Sequence, residues 1–74
     1  MPAADKTLIP LDVKKIRELR LALNMTQAEA AERAGLTGLQ VWSDIERGRR
    51  SNLTIDTLER IARVLGVRPG DLLK

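Results

Sequence analysis

The stretch TQAEAAERAGLTGLQVWSDIERG, residues 26–48, carries two helix-start signals eleven residues apart and a glycine after each of the two segments they begin. Thr26 followed three residues later by Glu29 fits a capping box, in which hydroxyl and carboxylate satisfy amide groups that a helix start leaves without partners. The alanine-rich run over 27–34 propagates as helix because alanine loses no side-chain entropy there. Gly35 ends it by taking the left-handed conformation past the last turn. Thr37 with Gln40 repeats the box, and Leu36 before that cap packs on Val41 at the spacing of a hydrophobic staple. The second helix is thus predicted over about 38–47, closed by Gly48.

Working outward, the first eleven residues, MPAADKTLIPL, hold two prolines and no helical period, so residues 1–11 read as an arm and 12–74 as the domain. Asp12 caps a first helix in which Val13, Ile16, Leu19 and Leu23 recur at helical intervals, with Asn24 as its end. Thr54 caps a further helix whose buried stripe is Leu58, Ile61, Ala62 and Leu65, stopped by Gly66. Pro69 suits the first turn of a short last helix bearing Leu72 and Leu73. The expected fold class is therefore all-α, with five helices and no strand outside the arm.

Composition narrows what such a fold can do. With 74 residues, no cysteine and no histidine, the chain is one small domain with no disulfide, without the common zinc ligands, and without an imidazole for general-base catalysis. No metal, cofactor or enzymatic activity is expected. Apolar runs stop at three residues, so neither a signal peptide nor a membrane span is expected, and a reducing cytoplasm is the natural setting. Net charge is +3, but its distribution matters more: Arg47, Arg49 and Arg50 fall within four positions while the acids are scattered. Two short helices joined by a tight turn and followed by such a basic run form an arrangement suited to duplex DNA.

At this point the residues resemble a known family. Ile16, Leu19 and Arg20 in the first helix, the MTQAEAAERAGL run, the IERG tetrapeptide over 45–48 and the LTIDTLERIARVLGV segment over 53–67 together resemble the Cro and phage-repressor type of helix-turn-helix protein, the xenobiotic-response-element family. The likeness spans about residues 13–73. By size it is similar to restriction-modification controller proteins and short phage repressors. The resemblance implies a five-helix, lambda-repressor-like domain whose third helix lies in the major groove, where each base pair shows a distinct donor and acceptor pattern. One departure stands out: Thr37 lies one residue farther from Ile45 than the family's spacing, so either the turn is longer or the helix starts early.

Counted back from Ile45, the wheel places Val41, Trp42 and Ile45 inward and leaves Leu39, Gln40, Ser43 and Asp44 as base-reading candidates. Gln40 either bonds adenine or caps its own helix, Ser43 donates or accepts, and Leu39 presses on a thymine methyl. Asp44 either accepts from cytosine or pairs with Arg47. Gln27, Thr37, Arg47, Arg49, Arg50 and Asn52 are the phosphate candidates, with Gln27 resembling the family glutamine that braces the recognition helix. Glu46 and Arg20 match the family's structural ion pair. The expected function is a homodimeric, sequence-specific regulator of transcription on a palindromic operator, with its dimer surface at Val67, Leu72 and Leu73 or formed by exchange of the arm at Leu8 and Ile9. The alternative is an antitoxin that binds a toxin protein and regulates its own operon.

Overall fold

The computed structural model describes residues 11–49 and 53–74, so all of the 1–11 arm but its last residue, with Leu8 and Ile9, and the candidates Arg50 and Asn52 lie outside the described residues. Four α-helices follow in order: α1 (Val13–Ala22), α2 (Gln27–Arg33), α3 (Leu39–Glu46) and α4 (Ile55–Leu65). The fifth expected helix is a single 3-10 turn, Pro69–Leu72. After that turn the Leu72 carbonyl accepts from the Asp12 amide at 2.7 Å, and Leu73 forms an isolated antiparallel bridge with Leu11. The chain is drawn into extended geometry before an α-helical ladder can form.

Each helix start has a local cause. Asp12 accepts from the Lys15 amide at 3.2 Å, and Leu11 before the cap is buried together with Ile16, so Leu11 belongs to the core rather than to the arm. Thr26 and Glu29 form both bonds of the capping box, at 3.0 and 2.9 Å. Thr54 accepts from the Thr57 amide at 3.1 Å. The start of α3 differs from the expectation: its cap is Gly38, which supplies no side-chain bond, so Thr37 does not cap and Gln40 is not half of a capping box. The extra residue therefore sits in the turn, and the helix begins at Leu39.

Helix ends share one device. Gly35 has φ of +71°, its amide reaches the Glu32 carbonyl and the next amide, of Leu36, reaches Ala31 at 2.9 Å, closing the last carbonyls of α2. Asn24 does the same after α1 at φ of +57°, with Met25 bonding back to Arg20. That turn leaves Leu23 half exposed, against the expected stripe, and sends Met25 into the core in its place.

The core is built around Trp42, Ile16, Ile45, Ile61 and Leu72, all fully buried. Burying each such side chain contributes about 1.5–3 kcal/mol. Ala30, Ala31 and Ala34 present almost no side chain, and this lets α2 pack closely on α3, its main neighbour. Leu72, expected at a dimer surface, is instead closed over by its own chain, because the Leu11–Leu73 bridge folds it inward. Leu73 remains partly exposed.

Candidate nucleic-acid interface

A helix advances about 100° per residue, which divides α3 into two arcs. Trp42, Ile45 and, on the flank, Val41 pack inward. Gln40, Asp44 and Arg47 fall within one narrow outer arc, and Leu39, at the first turn, is half exposed. Ser43 does not join them. It is only 5 % exposed, which corrects its assignment to the reading face. Its place on α3 is on the flank of the outer arc, one turn before Glu46, on the side that packing closes off.

On the outer arc, Gln40 Nε2 donates to Asp44 Oδ1 at 2.9 Å, one turn along the helix. Of the two partners weighed for Asp44, Arg47 makes no ion pair with it in this structure; among the described residues its carboxylate bonds to Gln40. At the end of α3 the Gly48 turn, with φ of +74°, lets the Arg49 amide reach the Asp44 carbonyl at 2.8 Å. Arg47 and Arg49 are both exposed beside the reading arc. Thr37 is exposed in the turn, in a shallow cleft lined also by Leu36, Val41, Leu53, Thr54 and Thr57.

Behind the arc lies the group that fixes α3 in place. Arg20 of α1 grips Glu46 with two nitrogens, Nε to Oε2 at 2.6 Å and Nη2 to Oε1 at 3.1 Å, and uses Nη1 on the Met25 carbonyl at 2.8 Å. Such bidentate, charge-assisted bonds are the strong ones. Two further donors converge on the same carboxylate: Gln27 Nε2 on Oε1 at 3.1 Å, and the Trp42 indole nitrogen on Oε2. With the Arg20 and Glu46 side chains 9 % and 5 % exposed, three helices are tied through one carboxylate. Burial pushes the Glu46 carboxyl up, but the bonds from Arg20, Trp42 and Gln27 outweigh it and hold it below the ordinary value of 4.5.

The convergence of Trp42 and Gln27 on Glu46 was not read from the sequence. For Trp42 a signal existed, since an indole one turn before a buried carboxylate stands at the i,i+4 spacing of facing side chains. For Gln27 the family resemblance named a brace on the recognition helix but not its partner, which is nineteen residues away in sequence. Its amide is engaged by Glu46 while its carbonyl is left over for other partners.

Comparison with known proteins agrees with this geometry. The helix-turn-helix family model matches residues 16–72. The control protein C.BamHI of Bacillus amyloliquefaciens is 44 % identical over 61 residues, covering 81 % of this chain and 73 % of that protein. Among solved structures, a chain of the SinR protein/SinI protein complex matches with a TM-score of 0.76 and 32 % identity over 84 % of this chain; the chain spans only 59 % of that solved chain. The structure of SinR, the master regulator for biofilm formation, in complex with DNA matches with the same score and identity, here covering 97 % of the solved chain. The chain belongs to the helix-turn-helix family of DNA-binding transcription regulators, of the xenobiotic-response-element type, and is not an enzyme.

Proposed function

We propose that the chain is a sequence-specific transcription regulator that binds a palindromic operator as a homodimer, with α3 in the major groove, in the cytoplasm. The observation that carries this reading is the narrow outer arc of exposed Gln40 and Arg47 with half-buried Asp44 between them, on a helix braced from behind by Glu46. Leu39, Gln40 and Asp44 address base edges. Arg47, Arg49, Arg50, Asn52 and Thr37 address phosphates on either side, and Gln27 joins them by turning its amide from Glu46 toward the backbone. The likeness to SinR, which is described in complex with DNA, supports the same approach.

Dimerisation follows from the arithmetic of selectivity. One helix in one groove covers few base pairs, whereas two half-sites about 34 Å apart multiply the discrimination. With Leu72 enclosed, the apolar groups left for a partner copy near the C-terminus are Leu73 and the half-buried Val67.

Gel-shift titration against fragments enriched from a random pool, run at two salt concentrations, tests the reading. The expected result is selective binding with a two-to-one protein to site ratio, and a slope of affinity against salt that falls by about one in Arg47→Ala or Arg49→Ala. Selection of no sequence at low salt overturns it. A copurified protein whose removal restores DNA binding would support the antitoxin reading instead.

A further inference from the structure

We infer that Asp44 sets the base preference of Gln40, so that the two side chains read neighbouring base pairs as one unit. This rests on the DNA-reading role proposed above and extends it to the chemistry of the bases chosen.

A glutamine amide on an exposed helix turns about a broad, roughly two-fold final torsion and offers either its oxygen or its nitrogen to a given side. Something outside the residue must decide. Asp44, one turn along, turns a carboxylate oxygen toward it, and carboxylate oxygens only accept, so the bond from Gln40 Nε2 at 2.9 Å fixes which end of the amide is nitrogen. Gln40 has no competing duty at the helix start, because Gly38 is the cap.

Among the described residues, three groups stay without a partner once that bond is made. Gln40 keeps its second N–H and its Oε1, a donor beside an acceptor, and Asp44 keeps Oδ2, an acceptor. Adenine alone shows the complement of the first pair on its major-groove edge, an N7 acceptor next to an N6 amino group. Asp44 Oδ2 needs an amino group too, and the cytosine N4 amino group supplies one without an adjoining acceptor. Guanine and thymine set oxygen or nitrogen lone pairs against the carboxylate. Since phosphates also repel it, a site without a facing amino group is penalised twice. Asp44 thereby trades affinity for discrimination, while Arg47 on the same arc holds the attraction to the backbone.

Selection from randomised duplexes with the full chain and with Gln40→Ala, Asp44→Ala and Asp44→Asn tests the inference, each variant first checked for an intact melting transition. In the unsubstituted chain, adenine and cytosine at two neighbouring positions should each be preferred by about tenfold or more. Gln40→Ala should relax the adenine position alone. Asp44→Ala should relax both, because the amide is freed, whereas Asp44→Asn should keep the adenine preference through its own carbonyl oxygen and lose the cytosine one. If Asp44→Ala relaxes one position and leaves the other untouched, the two side chains act independently and the inference is overturned. It is likewise overturned if the selected pairs present no amino groups. Failure of the unsubstituted chain to enrich any sequence sinks the DNA-reading proposal itself.

Discussion

Glu46 has more partners than any other polar side chain described here, and its behaviour separates what anchors α3 from what α3 presents. Removing one member of a buried ion pair leaves the other charge uncompensated, so Arg20→Ala should cost about 3–5 kcal/mol, measured by urea denaturation followed at Trp42. Substitution of exposed Arg47 or Arg49 should leave stability unchanged within about 0.5 kcal/mol. The pH dependence has a definite sign. A carboxyl held below 4.5 in the folded chain contributes stability in full above that value and loses it as pH falls through the lower folded value. Thermal melts between pH 6 and pH 2 should therefore show a steeper acid loss in the unsubstituted chain than in Glu46→Gln, which has no such proton to take up. The Arg20–Glu46 pair was legible because an Arg and a Glu stood at positions where the family resemblance pairs them. Ser43 is buried although the wheel turns it outward, because a wheel assigns angles on one helix and carries no information on what packs against it.

At the scale of elements, capping chemistry located three of the four helix starts, since each depends on residues within four positions of one another. The α3 start failed for the same reason it looked secure: Thr37 and Gln40 have the right spacing, yet the chain continues one residue further before helical geometry begins. Gly38 is extended, with φ of 170°, and a Cβ there meets nothing within 4 Å. Gly38→Ser should thus add the missing cap and restrict the unfolded chain, raising stability by about 0.5–1 kcal/mol in the same denaturation assay. Gly35 is the opposite case. At φ of +71° a side chain is strained, so Gly35→Ala should cost about 1–2 kcal/mol, and it should also loosen the turn that aims α3. The last element was misjudged for want of long-range information, because the contacts of Leu72 and Leu73 with Asp12 and Leu11, which follow directly on the 3-10 turn opened by Pro69, join residues some sixty apart in sequence.

For the molecule as a whole, a core built from about a dozen apolar side chains leaves little surplus, and each belongs to the structure that orients α3. Leu72 illustrates this: though two residues from the end, it is fully buried, and Leu72→Ala should cost about 2–5 kcal/mol. In a domain of this size each kcal/mol moves the melting temperature by roughly 4–8 °C, so a calorimetric scan should show a fall of at least about 8 °C. Leu73→Ala, on the partly exposed neighbour, should barely alter the melt of the isolated chain. The lone indole gives all of these states a built-in reporter. Trp42 shares a carboxylate with Gln27, so a duplex that draws the glutamine amide away as proposed should change the polarity and hydrogen bonding that the excited indole senses. Its emission wavelength should then distinguish a docked chain from a free one without any added dye.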